Sequence, residues 1–174
     1  MEKDAKRLSD KQIEEIAVKA LKDHGLYDYP VDVRRLAKKL GIAIYSADFE
    51  NKAVCGVIRK EGKGWAIYYN RENHPNRVRF TIAHEIGHYA LEHLKSPEGI
   101  TDEQLDMYRR VDSENEPGYR KEVEANKFAA ALLMPREFVL DVWVKCNGDI
   151  ESMAEEFNVS ALAMGYRADH VDRF

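Results

Sequence analysis

The sequence has 174 residues, 44% hydrophobic and 33% charged, which reads as one soluble globular domain with enough chain for a real core. A net charge of −4 and a pI of about 5.9 give no global electrostatic footprint for nucleic acid, and no apolar run approaches the ~20 residues of a membrane span. The charged start, Met1 to Arg7, has no apolar stretch behind it. Cys55 and Cys146 are isolated, so no signal peptide or disulfide framework is read and a reducing cytoplasm is expected. Both cysteines read as small buried apolar residues.

In chain order, Ser9 and Gln12 make a capping-box pattern ahead of Ile13, Ile16, Ala17, Ala20 and Leu21 at helical spacing, and Gly25 ends that helix. A short helix starts near Asp32 and stops at Gly41. Ile42 to Tyr45, Val54 to Arg59 and Trp65 to Asn70 read as strands, the last two joined by a turn at Glu61-Gly62-Lys63-Gly64. After Asn73-His74-Pro75 a helix is placed at about 76–94. Residues 95–119 form an acid-rich connector with a possible short helix from Gln104 to Val111. A functional lid and a solvated excursion are equal readings of it. A helix resumes from Arg120 to Met134. Pro135 ends it or begins the next helix, whose apolar side is Phe138, Val142 and Trp143, and Asn147-Gly148 stops that one. The tail, 149–174, reads as two short helices split near Asn158-Val159-Ser160.

The helix at about 76–94 carries His84-Glu85-Ile86-Gly87-His88, an HExxH string. His84 and His88 are one turn apart and leave from the same face, so both imidazoles can reach one Zn²⁺. Glu85 lies about 100° round from His84 and about 60° from His88, beside the ion without being forced to ligate it. That is where a general base for the attacking water belongs. Chance alone would give such a string in on the order of one chain in a hundred. Apolar Ile82, Ala83, Ile86 and Ala90 mark the helix as largely buried, however, and buried imidazoles and carboxylates need partners or a metal.

A catalytic zinc takes a third protein ligand. Glu122 shares a face with Ala125, Asn126, Ala129 and Leu133, residues suited to packing under another helix, whereas Glu124 turns toward Lys127 as a surface ion pair. Glu122 is therefore the expected ligand, and Asn126, one turn on, could hold a ligand by a hydrogen bond. If the HExxH helix continued, His93 would lie about 140° from His88, on the far side from the metal. The longer HExxHxxGxxH spacing also fails, with Leu91 and Leu94 at its Gly and third His positions. His24 and His74 read as helix-end and loop residues, and His170 is unassigned.

Arg79 to Tyr89 resembles the signature of the ImmA/IrrE family of zinc metallo-endopeptidases. The run from Glu122 through Ala125-Asn126 and Phe128-Ala129-Ala130 to Leu132-Leu133-Met134-Pro135 resembles that family's second signature. Pro30-Val31-Asp32, Leu36-Ala37 and Leu40-Gly41-Ile42 resemble its N-terminal helix and first strand, so the resemblance covers roughly 29–168. It implies an α+β, thermolysin-like core, with a small three-stranded sheet packed on the HExxH helix and a second, Glu-bearing helix. It makes the Glu opening the second signature, here Glu122, a metal ligand. It further implies a cytoplasmic protein that cleaves a helix-turn-helix repressor, encoded nearby, and so releases stress-response or mobile-element genes. The tail resembles the family's helix-turn-helix-like segment, but its second helix contains Gly165, few basic residues follow and its charge is acidic, which favours packing or repressor docking over direct nucleic-acid contact. The expected organisation is one domain over 1–174, with a catalytic core at 9–148 and a helical tail at 149–174.

The expected chemistry is peptide hydrolysis assisted by Zn²⁺, with Mn²⁺ an alternative in vitro. His84, His88 and Glu122 hold the ion and Glu85 is the catalytic base. Tyr119, Arg120, His93 and Tyr166 are all able to stabilise the oxyanion, and the sequence does not choose among them. A substrate strand is expected to pair with a sheet edge, for which Trp65 to Asn70 is the candidate. The alternatives are a non-catalytic zinc-stabilised repressor-binding module and a DNA-binding regulator.

Overall fold

A computed structural model describes residues 8–94 and 118–171. The 95–119 connector, with its expected helix at 104–111, falls almost wholly outside the described residues. Helix α1 (Asp10–Asp23) begins at the anticipated capping box: Ser9 Oγ accepts from Gln12 N at 3.2 Å and Gln12 Oε1 from Ser9 N at 2.9 Å. Ile13, Ala17 and Leu21 form its buried stripe. Helix α2 (Val33–Lys39) is capped by Asp32, which accepts from Arg35 N at 2.9 Å.

Strands β1 (Ile42–Ala47), β2 (Gly56–Glu61) and β3 (Gly64–Asn70) make one mixed sheet in the order β1-β3-β2. β2 and β3 form the expected hairpin, with Gly56 opposite Tyr69, and β1 joins the other flank of β3 in parallel, with Ile42 opposite Trp65. β3 is therefore central. This overturns the expectation that Trp65 to Asn70 offers an edge to substrate. Both of its hydrogen-bonding sides are taken, and Ala66 and Ile67 are fully buried. The two edges are β1 and β2.

Helix α3 (Pro75–Ala90) carries the HExxH string and α4 (Tyr119–Leu133) carries Glu122. Helices α5 (Arg136–Lys145), α6 (Ile150–Phe157) and α7 (Ala161–Val171) complete an α+β fold of seven helices and three strands among the described residues. Two glycines set the spacing of the layers around α3. A Cβ on Gly56 would stand 2.2 Å from Thr81 Cγ2, so β2 can lie directly on α3. A Cβ on Gly87 would meet Phe128 Cδ1 at 3.0 Å and Ala125 O at 3.2 Å, so α3 and α4 cross there at close range. The Gly of the HEIGH string thus allows the Glu-bearing helix to approach its two histidines.

The tail is fastened to this core. Asn76 Nδ2 donates to Val159 O at 3.0 Å, and Arg79 Nε donates to Asn158 O at 3.2 Å, tying α3 to the link between α6 and α7. Arg167 is 6% exposed. Its Nη2 reaches both oxygens of Glu14 at 2.7 Å and its Nε donates to Met134 O at 2.9 Å. This arginine of α7 is consumed by packing against α1 and the end of α4. The cysteines are half-buried rather than fully buried. Cys55 Sγ accepts from Arg77 Nε at 3.1 Å and Nη2 at 2.9 Å, so it sits in a polar setting that an apolar reading of a lone cysteine misses. Among the described residues no helix is long and apolar enough to cross a membrane.

Candidate metal centre

The α3–α4 crossing brings His84, His88 and Glu122 together. His84 Nε2 lies 2.9 Å from His88 Nε2, and the two Glu122 oxygens lie 3.2 Å from one imidazole each. The three side chains are largely buried, at 15%, 12% and 22% exposure. Four-coordinate zinc with bonds of about 2.0–2.1 Å separates its donors by roughly 3.3–3.4 Å. A triangle with edges near 3 Å therefore accepts such an ion after shifts of a few tenths of an ångström, and two imidazoles plus one carboxylate are a donor set zinc favours.

Proton placement agrees with this. Asn126 Oδ1 is 2.9 Å from His84 Nδ1, so that nitrogen is the donor and Nε2 keeps its lone pair for the centre. Asn126 reaches His84 from α4, one turn beyond Glu122. Burial pulls the His84 imidazole down, but the hydrogen bond to Glu122, the charges of Glu85 and Glu122, and Asn126 outweigh it and leave His84 raised. Burial pushes the Glu122 carboxyl up, but the two histidines outweigh it and hold it at about 2.

Glu85 is 7% exposed and lines the same cavity, a space of about 970 Å³ bounded also by Gly56 and Ile58 of β2 and by Tyr166 and His170 of α7. His24 is at a helix end as read, its Nδ1 2.8 Å from Ala20 O, whereas His74, read as a loop residue, is the N-cap of α3.

His93 and Glu124 are not where the sequence places them. The helix does not continue past Ala90. Leu91 caps it, Glu92 takes a left-handed conformation at φ 59, and His93 N donates to His88 O at 3.0 Å in a Schellman-type close. The chain doubles back, so the 140° offset does not apply. His93 is buried beside the metal cluster, its Nδ1 3.1 Å from His88 Nδ1. Burial, with the neighbouring His88 and Lys121, pushes it down to about 3. Glu124 is 8% exposed, contacts His93 Nε2 at 3.1 Å and has Arg120 Nε 3.8 Å away, while Lys127 pairs instead with Asp10 at 2.5 Å. The surface ion pair expected of Glu124 is thus corrected. No glycine or proline marks the helix end at Leu91-Glu92, so sequence carried no stop signal there.

The model of the IrrE N-terminal-like domain, Peptidase_M78, matches residues 37–169. The chain belongs to this family. That makes it a member of a metallopeptidase family, in line with a cluster that could hold a metal ion. Among solved structures, a Mycobacterium tuberculosis transcriptional regulator shares the fold with a TM-score of 0.65 over 90% of this chain, at 19% identity. This Peptidase_M78 chain covers 46% of that regulator, a little under half its length. No curated protein matches.

Proposed function

We propose that this chain is a zinc-dependent endopeptidase that cuts a peptide bond in a helix-turn-helix transcriptional repressor in the cytoplasm. The observation that carries the enzyme reading is the triangle of His84, His88 and Glu122 donors with Glu85 beside it in one cavity. His84, His88 and Glu122 would hold Zn²⁺. When bound, such an ion supplies Lewis-acid polarisation of a carbonyl and acidification of a water. Glu85 takes a proton from the attacking water and delivers it to the leaving amine.

Of the four residues able to stabilise the oxyanion, His93 and Tyr166 line the cavity. Both ring nitrogens of His93 are engaged, by His88 and Glu124, which leaves Tyr166 as the donor. Tyr166→Phe then lowers kcat with little change in KM, and an unchanged kcat removes the role. The substrate runs extended along β2, the edge strand whose Gly56 and Ile58 border the cavity, and pairs with it through backbone hydrogen bonds. We assign 1–174 to one domain, with a 9–148 core and a 149–174 tail. The fastening of Arg167 to Glu14 supports a tail that walls the cavity rather than one that reads DNA.

The likeness to a transcriptional regulator favours a second reading, a zinc-stabilised module that binds a repressor or DNA without cleaving. Glu85 speaks against it, because a purely structural zinc site has no use for a base and is closed by four protein ligands. Incubation of the zinc-loaded protein with the repressor encoded beside it separates the two. Defined fragments that vanish on chelation support the peptidase, while a stable complex without fragments supports the binding module.

A further inference from the structure

His88 uses its two ring nitrogens differently. Nε2 faces His84 and Glu122, and Nδ1 is 3.1 Å from Nδ1 of His93. The other nitrogen of His93, Nε2, is 3.1 Å from Glu124 Oε2. His88, His93 and Glu124 therefore form a line leading away from the metal cluster into the protein. An ionised carboxylate only accepts hydrogen bonds, so His93 carries its proton on Nε2. Its Nδ1 then bears a lone pair, and the proton between the two rings belongs to His88 Nδ1. That leaves His88 Nε2 bare and aimed at the cluster.

The backbone holds this line in place. His93 N is bonded to His88 O, and His93 O accepts from Lys121 Nζ at 3.3 Å, so the loop cannot swing without breaking the close of α3. α4 supplies the far end. One helix contributes Glu122 to the cluster, Asn126 to His84 and Glu124 to the far side of His93. His84 is oriented by one partner and His88 by two in series.

We propose that His93 and Glu124 are positioning residues that lock His88 in its metal-binding tautomer and orientation. This rests on the metal-centre reading above. Neither residue belongs to the set of three donors that could hold the ion. An imidazole placed between a ligand histidine and its carboxylate does what a directly bonded carboxylate does elsewhere, at one ring's remove.

The test is zinc affinity of the full chain by competition with a chromophoric chelator, with metal-free thermal unfolding to verify folding. His93→Phe keeps a ring but offers no acceptor, and it should weaken zinc binding roughly ten- to a hundredfold. His93→Asn places a side-chain oxygen near the position of Nδ1 and should recover most of that loss. Glu124→Gln keeps the shape but loses the charge, and should weaken binding by about threefold or more. Equal losses in His93→Phe and His93→Asn would point to packing and overturn the proposal. So would parental affinity in folded His93→Phe or Glu124→Gln, and if His93→Phe does not fold, Glu124→Gln decides alone. A parent chain that takes up no zinc would remove the metal-centre reading and the relay with it, whereas tight parental binding with equally tight variants removes the relay alone.

Discussion

His84 Nε2 stands 2.9 Å from His88 Nε2, a distance at which two bare lone pairs repel, so the gap suits a shared hydrogen or a metal ion. Glu122 faces the same gap from α4, which makes it a place for a proton or a metal ion. Replacement of any one of the three should cost more than the outer partners do. His88→Ala and Glu122→Ala are expected to weaken zinc binding by more than about a hundredfold, the upper end for an outer partner. Metal content after dialysis at defined free zinc measures this, and retention of one zinc per chain by either variant would discount the site.

The same cluster predicts how the benefit of zinc varies with pH. His84 is raised, so its contribution to the metal-free protein is fully present below its ordinary value of 6.5 and lost as pH rises through the folded value. Glu122 is lowered to about 2, so its contribution is present above the ordinary 4.5 and lost as pH falls toward 2. The metal-free pair therefore stabilises the fold most between about 4.5 and 6.5. Zinc requires bare ligands, and its binding strengthens as pH rises out of that window. The rise in Tm on adding zinc should grow from roughly pH 5.5 to roughly pH 8. A constant or shrinking increment would contradict a His-His-Glu centre.

Gly87 and Gly165 make a matched pair of opposite sign. Both lie in helices, where Gly→Ala alone favours folding by about 1 kcal/mol. At Gly165 an added methyl meets nothing within 4 Å, so Gly165→Ala should stabilise by about that amount. At Gly87 it meets Phe128 and the backbone of Ala125 at 3.0–3.3 Å, and overpacking of about 1–3 kcal/mol outweighs the helix gain. Gly87→Ala should also loosen zinc, because it pushes α4 and Glu122 away. Denaturant unfolding of both variants decides, and stabilisation at position 87 would show that the helices do not cross there at close range.

Much of this arrangement is legible in the sequence, because it follows local rules. The capping box at Ser9, the turn joining β2 to β3, the shared face of His84 and His88 and the shared face of Glu122 and Asn126 all depend on short-range spacing along the chain. The misreadings share another cause. β3 became central only because β1, from elsewhere in the chain, pairs with it in parallel. The positions of His93 and Glu124 escape helical spacing because α3 ends at a left-handed Glu92 where a glycine would ordinarily give the signal. Burial of Glu124 then follows from a loop turning back, which helical periodicity cannot foresee.

Arg167 and Glu14 offer a test of the tail. Their side chains are 5% and 13% exposed and joined at 2.7 Å. Loss of one partner from a buried pair leaves a charge uncompensated and costs about 3–5 kcal/mol. Arg167→Ala should destabilise the whole chain by about 3 kcal/mol in denaturant unfolding. A stable variant with weakened DNA binding would instead favour a nucleic-acid role for α7.

The most direct measurement compares the zinc-loaded parent and Glu85→Gln against the neighbouring repressor in oxygen-18-labelled water, with zinc content and product masses determined together. The expected result is that both proteins bind one zinc, and only the parent yields two fragments, with the label in the new carboxyl terminus. Cleavage by Glu85→Gln at the parental rate, or no labelled fragment from a zinc-loaded parent, would contradict hydrolysis by this site.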